Sequence, residues 1–101
     1  MNQAQMMAQL RKMQAAMTKA QDELANTVVT GSASGELVQV EMSGDFRVRS
    51  VKVGKEAVDP DDVETLEDLL VVAFNDAVAK VQELSSRKLG GITGGLKIPG
   101  L

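Results

Sequence analysis

The residues best suited to chemistry in this sequence are cations that lack counter-ions. From residue 1 to residue 21 the bases Arg11, Lys12 and Lys19 meet no carboxylate, and from residue 84 to the end Arg87, Lys88 and Lys97 again stand alone, with Lys80 just ahead of them. Segregated lysine and arginine suit phosphate oxygens, through charge-assisted hydrogen bonds and release of condensed counter-ions. The carboxylates are concentrated elsewhere. Seven of the fourteen acids, Glu56, Asp59, Asp61, Asp62, Glu64, Glu67 and Asp68, fall between residues 56 and 68, so the net charge of -3 divides into -7 over that belt and +4 over the rest. Paired carboxylates can perform acid–base work or hold a cation, but here they have no histidine or cysteine to complement them. The sequence therefore assigns no catalytic residue, no metal site, no cofactor and no small-molecule substrate.

The elements that must carry these residues can be read from periodicity. Met6, Leu10, Met13, Met17, Ala20 and Leu24 alternate by four and three among strong helix formers, a heptad seam that predicts a helix over residues 6–24, roughly 30 Å long. Three strands are predicted at residues 27–32, 36–42 and 46–53, separated by Ala33-Ser34-Gly35 and Ser43-Gly44-Asp45. In the second, Val38, Val40 and Met42 alternate with polar residues, as in an antiparallel sheet with one dry face. In the third, Phe46 and Val48 have one parity and Val51 and Val53 the other, which places a bulge near Arg49 and Ser50. Asp59-Pro60-Asp61-Asp62 reads as a helix start with Asp59 as the cap and Pro60 in the first turn. The helix that follows carries a broad apolar stripe and runs to about Leu89. Acids at its start and bases at its end also suit the helix dipole, so both clusters have a purely structural reading.

At 101 residues the chain is one domain, predicted as residues 1–89 with a flexible glycine-rich tail at 90–101. With only Phe46 and Phe74 aromatic, its core is thin, and a second subunit is the natural source of further burial. Val38, Val40, Phe46, Val48, Leu66, Leu70 and Phe74 are expected in the core or a dimer interface. No apolar run has signal-peptide length or the ~20 residues of a membrane span, which predicts a cytoplasmic chain without membrane contact.

Three stretches taken together resemble the YbaB/EbfC family of bacterial nucleoid-associated proteins over essentially the whole chain. They are Leu66-Glu67-Asp68-Leu69-Leu70 with Ala73-Phe74-Asn75-Asp76-Ala77, Gly31-Ser32-Ala33-Ser34-Gly35 with Leu37-Val38-Gln39-Val40, and Ile92-Thr93-Gly94-Gly95-Leu96 ending near Pro99-Gly100. The resemblance implies an α+β fold, a two-layer α-β-β-β-α subunit with a three-stranded antiparallel sheet and two long helices, paired into a tweezer-like homodimer. It also implies binding of double-stranded DNA in the nucleoid by the projecting helices, with roles in chromosome organisation, gene regulation or repair. The expected contacts are Arg11, Lys12, Lys19, Lys80, Arg87 and Lys88. A second reading from another class is a protein–protein interaction module, whose heptad helix and apolar tail capture a partner and whose association with DNA is indirect.

Overall fold

A computed structural model of the protein describes residues 2–92. Helix α1 (Gln3–Ala25) leads into strands β1 (Val28–Ala33), β2 (Val38–Ser43) and β3 (Val48–Val53), a 3-10 turn at Lys55–Ala57, and helix α2 (Val63–Ile92). The strands form an antiparallel meander in the order β1-β2-β3. This is the expected α-β-β-β-α layout, drawn out to 70 × 26 × 16 Å.

Helix α1 is opened by Asn2, whose Oδ1 accepts the Gln5 N–H at 2.8 Å. It is closed by side chains that take up its last carbonyls. Thr27 Oγ1 donates to Glu23 O at 2.7 Å, Asn26 Nδ2 to Asp22 O at 2.9 Å, and the Arg49 guanidinium to Ala25 O at 3.1 Å. Arg49 is free to do so because it is the extra residue of a bulge: Met42 pairs with Val48 and Glu41 with Ser50, which leaves Arg49 outside the ladder. The parity switch in the sequence located this bulge correctly.

Helix α2 lies over β1 and β2. Its small residues Ala73 and Ala77, with Val81, are fully buried against Val38 and Val40. The approach is closest at Gly31, where a β-carbon would stand 2.7 Å from Ala77 Cα and closer still to Ala77 N and Ala73 O. Gly44 does the same for α1. Its N–H donates to Leu24 O and Thr27 O, both at 2.9 Å, and a β-carbon there would meet Leu24 O at 2.5 Å. Two glycines thus let two helices seat directly on the meander.

Three expectations are corrected. Phe46 is not in β3: it sits in the β2–β3 turn at φ 63°, 49% exposed. The turn is wider than the three residues expected, because Ser43 N–H bonds Arg47 O at 2.9 Å and the buried Ser43 hydroxyl bonds the Asp45 carboxylate, so the chain must pass through a left-handed residue to close. Val48, expected in the core or a dimer interface, opens β3 at 47% exposure. Asp59 does not cap α2. Its Oδ1 accepts Asp61 N–H at 2.9 Å and its carbonyl accepts Asp62 N–H at 2.9 Å, which makes residues 59–62 a turn, and Asp62 caps the helix through Thr65 N–H at 3.3 Å and Thr65 Oγ1 at 2.6 Å. Finally, α2 continues through Gly90 and Gly91 to Ile92, three residues into the segment expected to be a tail; the remainder of that segment lies outside the described residues.

Replacing Gly31 by Ala should destabilise the fold by about 3 kcal/mol or more, because backbone rather than a side chain must yield. Urea denaturation checks this, and an unchanged midpoint would contradict the backbone contact.

Candidate functional site

The basic residues lie toward one end of the molecule because the two helices run antiparallel. Lys88 of α2 pairs with Glu23 of α1, while Ile92 shares a groove with Ala16, Lys19 and Ala20, so α1 recedes as α2 advances. Both helices therefore project from the same end of the sheet. Residues 3–15 of α1 continue past the level of Ile92 for about 20 Å at 1.5 Å per residue. Arg11 and Lys12 lie on this extension, exposed, and neither they nor the exposed Arg87 form an ion pair among the described residues.

The other expected contacts differ in kind. Lys19 is 81% exposed and touches Glu23 only at 4.0 Å. Lys88, at 32%, is bound directly to Glu23, and this ion pair pulls the Glu23 carboxyl below its usual value, first by the hydrogen bond from Lys88 and then by its charge. Lys80 is engaged within the subunit. Its ammonium donates to Thr30 O at 2.8 Å and pairs with Asp76 at 3.1 Å, so it braces α2 against β1 rather than standing with the tip residues. Asp76 completes the brace by accepting Ser32 N–H at 2.9 Å, and that bond, ahead of the one from Lys80, holds its carboxyl below the ordinary range.

The acidic belt is far from the basic ends. Asp68, the last acid of the belt, and Arg87 are separated by 19 positions of one helix, about 28 Å, more than three times the ~8 Å screening length at physiological salt. Asp59 and Asp62 are committed to the turn and the cap. Among the described residues no group of three or more acidic side chains is arranged to hold a metal ion.

A second surface is apolar. Gly31, Val40 and Val51 are cross-strand partners, as are Ala33, Val38 and Val53, and Val29, Met42 and Val48. Partners share a face, so the three β3 valines belong to the dry face, yet α2 sits over β1 and β2 and leaves them 47%, 42% and 38% exposed. Because Asp76 and Lys80 fix one edge of α2 over β1, the helix turn of about 100° per residue puts Phe74 and Val78 on the opposite edge, toward β3. Of the residues expected in core or interface, Val38 and Val40 are fully buried, Leu66, Leu70 and Phe74 are half-buried, and Val48 is open.

Sequence reasoning missed Glu23, Val51, Val53 and the Asp76 brace. The i,i+4 spacing of Asp76 with Lys80, and of Lys19 with Glu23, was the signal for the charged groups, and the parity switch in β3 was the signal for the valines.

The sequence profile of the YbaB/EbfC DNA-binding family matches residues 1–96. A nucleoid-associated protein of Roseiflexus sp. (strain RS-1) is 50% identical over 100 residues, 99% of this chain and 99% of that protein. One from Chloroflexus aurantiacus (strain ATCC 29366 / DSM 635 / J-10-fl) is 50% identical over 97 residues, covering 96% and 97%. Among solved structures, the crystal structure of the uncharacterized protein HP0035 from Helicobacter pylori matches with a TM-score of 0.82 over 93% of this chain and 99% of that one; at 20% identity this likeness concerns the fold alone.

Replacing Asp76 by Ala should cost about 1 kcal/mol at neutral pH, a figure already reduced for the partial exposure of the pair. The folded carboxyl titrates below its usual value near 3.8, so the fold holds fewer protons than the unfolded chain in that region. Its stabilisation is complete above that value and is lost as pH falls through the folded-state pKa. The difference between wild type and variant, read from thermal midpoints between pH 7 and pH 3, should narrow with acid; a gap that stays constant would argue against the ion pair.

Proposed function

This chain belongs to the YbaB/EbfC DNA-binding family, and from that premise we propose that it works as a homodimer whose projecting helix ends set Arg11, Lys12, Lys19 and Arg87 against the phosphates of duplex DNA. It is a nucleoid-associated DNA-binding protein. The observation that carries the proposed contact set is the position of those four cations: on the projecting helices, about 28 Å along α2 from Asp68 at the near edge of the acidic belt in the case of Arg87, and without an ion pair among the described residues except for the loose Lys19–Glu23 contact. A chain acidic on average can approach a polyanion by this end, since the field near the duplex is set by local charge. Contacts of this kind position the protein on DNA and read shape more than base identity. Roles in chromosome organisation, gene regulation or repair follow from such binding, and the proposed location is the nucleoid within the cytoplasm. No described helix is long and apolar enough to cross a membrane.

The homodimer reading is supported by the uncovered dry face. Val48, Val51 and Val53, flanked by Phe74 and Val78, form an apolar surface beside the free edge of β3. Exposed edges and contiguous apolar patches are normally covered in native proteins. A second copy placed there would bury the valines of both subunits and double the number of projecting cations.

One observation favours the interaction-module reading: Met6, Leu10 and Met13 are exposed along the α1 extension, a helical apolar row with no described partner. Purified protein that leaves naked duplex unshifted would favour that reading over the direct one.

If three to five of the eight cations in the dimer reach phosphates, the logarithm of the affinity should fall with the logarithm of salt at a slope of about -3 to -5. Changing Arg11, Lys12 and Arg87 to Ala should flatten that slope and weaken binding at least about tenfold in fluorescence anisotropy; unchanged affinity and slope would remove these residues from the contact set. Independently, Val51→Asp should convert the dimer to monomers in sedimentation velocity, by placing a charge in the proposed apolar contact. A variant that sediments like wild type would move the interface elsewhere.

A further inference from the structure

We propose that Glu23 is a tethered competitor for DNA phosphate, withholding Lys88 from the duplex and so setting the affinity of the helix ends. This inference rests on the DNA-binding reading of those ends. Glu23 stands in the last turns of α1 and points across to α2, where one carboxylate oxygen binds the Lys88 ammonium and the other faces Lys19 at 4.0 Å. The arrangement is built into the crossing of the helices. Ala16 and Ala20 leave a groove of about 250 Å³ between α1 and α2, and Lys88 and Glu23 meet along it. As a result Lys88 is 32% exposed while Lys19, the other lysine at the groove, is 81% exposed.

The consequence for DNA follows from the origin of phosphate affinity. A free lysine at the interface neutralises a phosphate and releases condensed ions, which produces the salt dependence. Lys88 already holds a carboxylate that cannot diffuse away. Exchanging that carboxylate for a phosphate leaves Glu23 unpaired beside the duplex, where like charge opposes approach. Lys88 therefore stays on Glu23 and contributes nothing to the slope, although its position in the sequence marks it as part of the basic end. Asp22, one residue away, forms no side-chain ion pair among the described residues and carries the same charge, so it serves as the control.

The test is anisotropy of one labelled duplex, titrated with full-length wild type, Glu23→Gln, Asp22→Asn and the double variant Glu23→Gln/Lys88→Gln across a salt series. Releasing one lysine per subunit should steepen the Glu23→Gln slope by about 1.8 in the dimer and tighten binding several-fold at low salt. Asp22→Asn should keep the wild-type slope, and the double variant should return to it. Salt-dependent wild-type binding with an unchanged slope or weaker affinity in Glu23→Gln overturns this proposal alone. Wild type without salt-dependent binding overturns the direct DNA reading as well. Should Glu23→Gln fail to fold, Lys88→Gln decides the matter: a withheld lysine leaves the wild-type slope, whereas a direct contact makes it shallower by about 1.8.

Discussion

The close contact of two backbones at Gly31 is the constraint on which the remaining architecture depends. Helices usually rest on sheets through long side chains, but here Ala73 and Ala77 bring the axis of α2 down onto β1 with no room for a β-carbon between them. A helix seated so low cannot also span the sheet. It buries Val38 and Val40 and leaves the dry side of β3 open. The ion pair of Asp76 and Lys80 and their bonds to Ser32 and Thr30 then fix the rotation of the helix about its axis. Seat and rotation together determine which residues reach the far end and in what direction.

Charge is arranged along that same helix. Carboxylates at its start satisfy free N–H groups and the positive end of the dipole, and cations toward its end suit the negative one. The electrostatics that stabilise α2 also keep the acidic cluster of its first turns more than a screening length from Arg87 and Lys88, so one helix offers an acidic base and a basic end without a second domain. Gly44 sets the complementary geometry for α1, whose C-terminus is held by the β2–β3 turn and by Arg49 from the bulge. The bulge thus has two effects, turning the β3 valines to the dry face and freeing a guanidinium to cap a helix.

Much of this was legible in local pattern. The order of the elements, the alternation in β2, the parity switch at Arg49 and the segregation of acids from bases all depend on neighbours a few residues apart. The misreadings have equally local causes. Phe46 looked like the first apolar residue of a strand, but the buried Ser43 hydroxyl and its bonds to Asp45 and Arg47 lengthened the turn. Asp59 had the residue type and the following proline of a cap, yet its side chain closed an Asx turn and left capping to Asp62. Short polar side chains compete for nearby N–H groups, and residue type alone does not say which of them wins.

What the sequence determined by itself was the inventory: two helices around a meander, one dry face, and cations kept apart from carboxylates. Only the tertiary structure decided which of those groups are available. Lys80 and Lys88 carry the same charge as Arg11 and Lys12, but one is spent on Thr30, fifty positions away, and the other on Glu23, sixty-five positions away. No periodicity encodes such pairs, because they arise where separate segments cross, and the crossing is set by the volume of a few side chains: the absent one at Gly31 and the small ones at Ala16, Ala20, Ala73 and Ala77.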